Sequence, residues 1–256
     1  MNELAWHRYG PEPSDGAPPL VLLHGFPLDS RMWAYTISAA PQLPVITIDA
    51  PGFGASPPVD GGLDAYADAV AATLEHAGMA RAVVAGLSMG GYAALELAQR
   101  HPHLLAGIGL LDTKAGADPQ DKRVDRLQMA EDALGEAGAR AVAPMLDSLL
   151  APGAPEAVRT EVAGWLRHAS PSGIAWAQRA MAARADRLAT LTRLDVPALV
   201  LRGAQDATAS LAEHEEMATA LGTQVIEVDG AGHLSALESP HEVAAALSDL
   251  YARATA

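Results

Sequence analysis

The strongest constraint on the fold is an alternation of short apolar runs with longer helical patterns along the chain. The runs are rich in Val, Ile, Leu and Ala, and several are continuously apolar, as expected for strands that helices cover on both faces. The alternation therefore predicts an α/β fold with a mostly parallel central sheet flanked by helices. The predicted strands are residues 19–23, 45–49, 82–86, 107–112, 197–202 and 224–229, and residues 4–8 are expected to add an antiparallel edge strand.

The alternation stops between Asp112 and Val196, where Ala-rich helical patterns are interrupted by Gly and Pro. We interpret residues 113–193 as a helical insert, a lid over the carboxyl edge of the sheet, where ligands of open α/β folds bind. Residues 1–112 and 194–256 would then form the core. The insert has 11 Lys and Arg residues against 10 Asp and Glu, although the whole chain carries a formal charge of −14. Its basic residues either belong to solvated helices or give the lid a mild preference for an anionic substrate.

Composition narrows the possible functions. The net charge of −14 argues against a nucleic-acid partner, because binding to phosphate backbones depends on Lys and Arg. The first residues lack a basic segment followed by an apolar run, and no stretch approaches about 18 continuous apolar residues, so we expect a soluble, cytoplasmic protein with no membrane partner. The chain has no cysteine, which excludes thiolate catalysis. No His, Asp or Glu cluster has metal-ligand spacing and no loop has a phosphate-binding pattern, so neither a metal nor a cofactor is expected.

The pentapeptide GLSMG at residues 86–90 matches the G-x-S-x-G pattern of a nucleophile elbow. It follows a predicted strand and precedes a helical pattern over residues 91–100, which is the setting that the elbow requires. A tight turn there exposes the serine hydroxyl, and the flanking glycines let strand and helix approach without Cβ clashes. We therefore predict that Ser88 is the nucleophile of an acyl-transfer reaction.

A serine hydroxyl needs an adjacent base, and this kind of elbow places the histidine after the acid in the chain. His233 lies in the glycine-containing loop GAGH after the last predicted strand, and we predict that it is the general base. His101 and His103 flank a proline at a helix exit. His214 and His241 lie in amphipathic helical segments and are expected to be solvated.

Two aspartates are candidates for the acid that orients this histidine. Asp206 lies in the loop GAQD after the predicted strand 197–202, between Ser88 and His233 in the chain. Asp112, which ends an earlier strand, is the alternative. We favour Asp206, which would fix the tautomer of His233 and stabilise its imidazolium.

The sequence HGFP at residues 24–27 follows the predicted strand 19–23 and forms a turn whose N–H groups can face a substrate carbonyl. We predict that the N–H groups of Phe26 and Met89 form an oxyanion hole, which acts on the charge that develops during acyl transfer. The alternative is that this turn only ends the strand. Pro27 is a candidate for a cis peptide bond.

Together these segments resemble the α/β-hydrolase superfamily over nearly the whole chain. The resemblance is carried in order by HGFP, by DAPGFGAS at residues 49–56, and by GLSMGG, GAQD and GAGH. The chain is most similar to the enol-lactonase, aryl-esterase and cofactor-free haloperoxidase group, through PLDSRMW at residues 27–33 and Asp112-Thr113. Some members of the superfamily take their acid from the strand that ends at Asp112. Dehalogenases and epoxide hydrolases of this fold have an aspartate at the elbow, so Ser88 argues against both.

These observations predict a serine hydrolase that cleaves a small-molecule carboxylic ester or lactone through an acyl-enzyme, without a cofactor. The alternatives are an enol-lactone hydrolase or thioesterase acting on a carboxylate-bearing substrate, and a receptor for a small ligand that keeps the triad but turns over little. The sequence leaves the oligomeric state open. Five large apolar residues are candidates for an apolar acyl pocket: Trp33, Met129, Met145, Trp165 and Trp176. The alternative is that they are core residues, as is common for such side chains at helical spacing.

Overall fold

The computed structural model describes residues 3–14 and 16–256, and in this part of the chain seven strands form one central sheet. The strands are β1 (Trp6–Tyr9), β2 (Leu20–Leu23), β3 (Val45–Ile48), β4 (Ala82–Leu87), β5 (Leu105–Leu111), β6 (Ala198–Gly203) and β7 (Val225–Val228). Their order in the sheet is β1-β3-β2-β4-β5-β6-β7. β1 is antiparallel to β3, with Trp6 opposite Ile48, and the other neighbouring pairs are parallel.

This sheet confirms the predicted α/β fold. Strands β2 to β6 are buried along their whole length, which explains why sequences such as LVLL in β2 and AVVAGL in β4 show no alternation. The two edge strands β1 and β7 are partly exposed. The observed strand bounds differ from the predicted ones by one or two residues, most clearly where β5 begins at Leu105.

Helices cover the sheet and connect its parallel strands. α3 packs against β2, β4, β5 and α2, whereas α11 packs against β4, β5, β6 and α1. None of the helices in residues 3–14 and 16–256 has the length and apolar character needed to cross a membrane. The α-helices are α1 (Ala34–Ala39), α2 (Leu63–His76), α3 (Met89–Arg100), α4 (Gln120–Leu134), α5 (Leu146–Leu149), α6 (Glu156–His168), α7 (Pro171–Ala182), α8 (Leu188–Leu191), α9 (Leu211–Leu221), α10 (Ser235–Glu238) and α11 (Pro240–Ala254).

The helical insert, residues 113–193, contains helices α4 to α8. Its last helix, α8, packs against the core helices α3 and α9. The segment at the end of α5 contacts loops that follow the carboxyl ends of β6 and β7: Leu149 accepts a hydrogen bond from Leu234, and Ser148 accepts one from Thr208. These contacts lie at the edge of the sheet where the predicted site residues are found.

Candidate active site

Ser88 stands at the sharp turn between β4 and α3. Its φ of 53° is in the left-handed region, which a residue with a Cβ adopts only under constraint. A Cβ on Gly86 would overlap the carbonyl oxygen of Gly90, and a Cβ on Gly90 would overlap that of Leu23. The two glycines of the pentapeptide therefore allow the strand and the helix to meet closely enough to form the turn. Thr113 Oγ1 donates to the carbonyl oxygen of Ser88 at 2.8 Å.

His233 lies in the loop that follows β7, and its imidazole is buried between Ser88 and Asp206. The Ser88 Oγ to His233 Nε2 distance is 2.9 Å, and the His233 Nδ1 to Asp206 Oδ2 distance is also 2.9 Å. In a neutral imidazole that donates from Nδ1 to the carboxylate, Nε2 is free to accept the serine proton. The structure thus brings the three predicted residues into one hydrogen-bonded chain.

The electrostatic surroundings of the Ser88-His233-Asp206 group favour the ionised form of both His233 and Asp206. Burial opposes ionisation of Asp206, but the adjacent His233 and the backbone N–H groups of Thr208 and Ala209, at 2.7 and 3.2 Å, outweigh it and lower the Asp206 pKa. Burial alone would lower the pKa of His233, but the charge and hydrogen bond of Asp206 raise it above the usual value. An imidazolium formed at this position is therefore stabilised by a neighbouring carboxylate.

The predicted oxyanion-hole residues are Phe26, in the loop after β2, and Met89, at the start of α3. Phe26 N–H donates no hydrogen bond to any described residue, and Met89 is the first residue of α3, so no carbonyl of an earlier turn accepts its N–H. The loop of Phe26 is held by the buried ring of His24, which accepts from Ala50 N at 2.8 Å and lies 3.0 Å from the Gly25 carbonyl. The Phe26-Pro27 peptide bond is cis.

Asp112, the alternative acid, forms no hydrogen bond with the histidine ring. Its carboxylate accepts from Gly203 N at 2.7 Å and from the Ser235 hydroxyl, whereas His233 Nδ1 is bound to Asp206. Burial raises the pKa of Asp112 to about 7. Asp112 therefore ties the end of β6 to α10, and it does so with a carboxyl group that is hard to ionise.

His214 corrects one expectation, because it is fully buried and not solvated. Its Nε2 accepts from Thr113 N at 3.2 Å, and its Nδ1 lies 2.8 Å from the Ser210 carbonyl. Burial lowers its pKa, in keeping with a neutral ring that links the start of the insert to α9. The pattern of its own helix gives no sign of this link, since the covering residue is distant in the sequence. His241 is exposed, as expected.

The predicted pocket residues occupy varied positions. Trp33 is fully buried in the hydrophobic core, where packing is its evident role. Trp176 is half-buried on α7 and donates to the Gly61 carbonyl at 2.9 Å, and the guanidinium of Arg31 lies 5.8 Å from the ring of Trp165 on α6. Both tryptophans thus join the insert to the core. Met129 and Met145 are half-buried in the insert.

About half of the basic residues of the insert are paired with carboxylates of the protein. Six of its 11 basic residues form ion pairs with carboxylates, and three more donate to carbonyl or amide oxygens, which are neutral and leave their charge uncompensated. The most buried of these contacts joins Asp118 to Arg184 at 2.6 Å and to Arg126 at 2.5 Å. In residues 3–14 and 16–256, no group of three or more His, Asp or Glu side chains is arranged to hold a metal ion.

Residues 20–246 match the model of a family described as the alpha/beta hydrolase family. The chain belongs to this family. As an alpha/beta hydrolase it is 30% identical to the pimeloyl-[acyl-carrier protein] methyl ester esterase of Aromatoleum aromaticum, over 91% of this chain and 98% of that protein.

Solved structures agree with this assignment. A thermophilic esterase from Thermogutta terrifontis is similar with a TM-score of 0.92 and 32% identity, over 99% of this chain and 94% of that one. The enol-lactonase from Burkholderia xenovorans LB400 has a TM-score of 0.85 and 26% identity, over 97% and 96% of the two chains. These similarities confirm the resemblance predicted from the motifs, and the relatives named as esterases support an enzyme that is a carboxylic ester hydrolase.

Proposed function

We propose that the protein hydrolyses carboxylic esters through a Ser88-His233-Asp206 triad and an acyl-enzyme intermediate. The observation that carries the proposal is the unbroken chain of hydrogen bonds from the Ser88 hydroxyl through His233 to Asp206 at the carboxyl edge of the sheet. Membership of the alpha/beta hydrolase family and relatives named as esterases support the same reaction.

The proposed reaction has two halves. Ser88 Oγ attacks the ester carbonyl while His233 Nε2 takes its proton, and the N–H groups of Phe26 and Met89 stabilise the oxyanion. The tetrahedral intermediate collapses, His233 returns the proton to the leaving alcohol, and the acyl group stays on Ser88. A water molecule, deprotonated by His233, then attacks the acyl-enzyme and releases the carboxylic acid.

The pKa shifts suit these roles. His233 must be neutral to accept a proton, and its pKa is raised, so the rate should fall on the acid side at a pH above the usual histidine value. Asp206 has a lowered pKa and stays ionised throughout that range. The acid limb of the rate profile thus reports His233.

The proposal is tested by Ser88→Ala assayed with p-nitrophenyl acetate, with Ser38→Ala as the control because Ser38 is exposed on α1. Loss of the nucleophile is expected to lower kcat by at least about 10³-fold, whereas the control should keep the wild-type rate. A fluorophosphonate probe should label the wild type and Ser38→Ala but not Ser88→Ala, as read by mass spectrometry of the Ser88 peptide. Full turnover by Ser88→Ala would refute the proposal.

The substrate class is proposed from the relatives. One relative is named a methyl ester esterase and another an enol-lactonase. These names support a substrate that is either an ester of a small alcohol or a lactone. A requirement for a carboxylate on the substrate, as in the enol-lactone or thioester alternatives, is less favoured because the buried Arg184 and the partly buried Arg126 of the insert are already paired with Asp118. A panel of methyl esters, lactones and thioesters, each with and without a free carboxylate, separates these classes. A KM that rises with salt only for the carboxylate-bearing members would restore the anionic preference.

A further inference from the structure

The carboxylate of Glu238, the last residue of α10, accepts hydrogen bonds from two separate segments of the chain. Oε1 accepts from Gly232 N at 3.0 Å, and Oε2 accepts from Ala151 N at 2.8 Å. Gly232 precedes the proposed base His233, whereas Ala151 belongs to the helical insert. Both donor residues are buried, so without Glu238 each N–H would lose its partner in a place that water does not readily reach.

The surrounding contacts show how closely these segments meet. A Cβ on Gly232 would overlap the backbone nitrogen of Ala151, so the histidine loop and the insert touch main chain to main chain. Leu234 N donates to the Leu149 carbonyl at 3.1 Å, on the other side of His233. The histidine is therefore flanked on both sides by residues that are bonded either to the insert or to Glu238.

We propose that Glu238 is a positioning residue that clamps the insert onto the histidine loop, so that the placement of the insert and the Ser88-His233 hydrogen bond are coupled. The inference rests on the proposed function, because it gives the coupling a catalytic consequence. A movement of residues 149–151 would be transmitted to His233 Nε2 through Gly232 and Leu234. Such displacements are costly, since a shift of about 1 Å in a reacting group can lower the rate by about 10²-fold.

Glu238 also contributes charge at this position. Burial lowers the pKa of His233, and three acidic groups act to raise it: Asp206 from the loop after β6, Asp112 from the end of β5, and Glu238 from α10. Burial raises the pKa of Glu238, whereas the N–H groups of Ala151 and Gly232 oppose that rise. A neutral residue in place of Glu238 should lower the pKa of His233 and move the acid limb of kcat/KM to lower pH.

The test compares Glu238→Gln with Glu242→Gln, an exposed glutamate at the start of α11. The amide keeps the size of the side chain but turns an NH₂ group toward one of the two backbone donors. With p-nitrophenyl acetate, Glu238→Gln is expected to lower kcat by about 10- to 100-fold with a smaller change in KM and a displaced acid limb. Glu242→Gln should match the wild type. A lower Tm with unchanged kcat and pH profile would mean that Glu238 is only structural and would overturn the proposal.

A readout independent of turnover is amide hydrogen exchange. Peptides that contain Gly232 and Ala151 should exchange faster in Glu238→Gln than in Glu242→Gln, whereas equal protection would refute the clamp. If the wild type hydrolyses no ester, the proposed function fails while exchange still tests the clamp. If the wild type and Glu238→Gln hydrolyse equally, the clamp alone fails.

A second variant covers the case in which Glu238→Gln does not fold. Ala151→Pro removes one donor from the insert side and sets the proline ring against the Glu238 carboxylate and Gly232, so it separates the insert from the histidine loop without changing Glu238 itself. Leu150 has the extended backbone, with φ −119° and ψ 147°, that a following proline requires. Ala151→Pro should lower kcat and increase amide exchange at Gly232. A rate and an exchange equal to those of the wild type would contradict the coupling.

Discussion

The core and the helical insert are held in place by different kinds of interaction. Strands β2 to β6 are apolar and buried, so the frame of the site follows from exclusion of water and from backbone hydrogen bonds. The insert also buries apolar side chains, such as Val142 and Ile174, and it adds a buried charged cluster of Asp118, Arg126 and Arg184. Its helix α4 leaves large apolar side chains exposed, namely Val124 (55%), Leu127 (47%) and Leu134 (53%). The groups proposed for chemistry thus stand on a rigid frame, whereas the covering helices rest on contacts that single substitutions can remove.

The largest effect is expected in the core, from Asp206→Asn. It removes the charge that orients His233 and should lower kcat roughly 10⁴-fold, or about 5 kcal/mol in the barrier. Because Asp206 raises the His233 pKa, the residual activity should extend to lower pH. A pH-rate profile checks both effects, with the exposed Asp195→Asn as control. A normal rate would show that another group, with Asp112 as the first candidate, orients the histidine.

Gly90→Ala tests the rigidity of the core frame. The added Cβ would overlap carbonyl oxygens of Leu23 and His24, which are main-chain atoms of the strand end and turn beside the elbow. Urea unfolding should show a loss of about 4 kcal/mol or more, with little remaining activity. Gly153→Ala in the insert is the matched control, because nothing lies within 4 Å of its added Cβ, and its stability should be unchanged or slightly higher. Similar losses in both variants would contradict the contrast between the two regions.

Asp118→Asn should break the insert while leaving the triad intact. It leaves the buried guanidinium of Arg184 beside a neutral amide, and the free energy of unfolding should fall by about 3 kcal/mol. Since the arginines lower the Asp118 pKa, this stabilisation is present above about pH 4 and is lost as the pH falls further. Kinetics should show a larger change in KM than in kcat, and the exposed Asp125→Asn should show neither change. A selective loss of kcat would mean that the cluster supports the core instead.

Asp112→Asn is expected to have a smaller effect on stability, and this effect depends on pH. Burial raises the Asp112 pKa from 3.8 to about 7. Between these pH values Asp112 ionises in the unfolded chain but not in the folded one, so the free energy of unfolding falls as the pH rises. The Asn variant avoids this penalty, and its stability relative to the wild type should increase by about 2–3 kcal/mol from about pH 5 to about pH 8. Urea unfolding at both pH values checks the trend. A constant difference would show that Asp112 does not titrate in this range.

The smallest effect is expected for Leu127→Gln on the exposed face of α4. Because the side chain is already 47% exposed, thermal unfolding should change by less than about 0.5 kcal/mol. The buried Leu97→Ala in α3 should lose about 2–5 kcal/mol and sets the scale for the core. A large loss from Leu127→Gln would indicate that α4 is packed more like a core helix than its exposure suggests.

The elbow and the histidine loop were predictable because local backbone requirements determine their residues. Ser88 stands between glycines that the turn needs, and His233 follows a glycine that leaves no room for a side chain. The choice between Asp206 and Asp112 was harder, because both follow buried strands. Only the three-dimensional arrangement shows that Asp206 bonds to the ring while Asp112 bonds to Gly203 and Ser235.

The residues that sequence reasoning missed act across long distances in the chain. The pattern of its helix predicts that His214 is solvated, because that pattern carries no information about Thr113, which donates to its ring from a distant part of the chain. Glu238 follows the histidine by only five residues, and its sequence pattern is that of an ordinary helical glutamate. Its partner Ala151 lies in the distant insert, so the local sequence does not indicate the contact. Contacts between distant segments leave no periodicity in either segment, so a single sequence does not report them.

Thr113, the first residue of the insert, has a consequence for how relatives can exchange their covering helices. Its hydroxyl holds the Ser88 carbonyl, and its N–H is held by His214. Recombination of the insert is therefore constrained next to the proposed chemistry at residue 113 and at residues 148–151, in addition to the contacts that Trp165, Trp176 and α8 make with the core. A chimaera that keeps residue 113, residues 148–151 and these contacts should take the acyl preference of its donor and retain the rate constant of its host for the attack by Ser88.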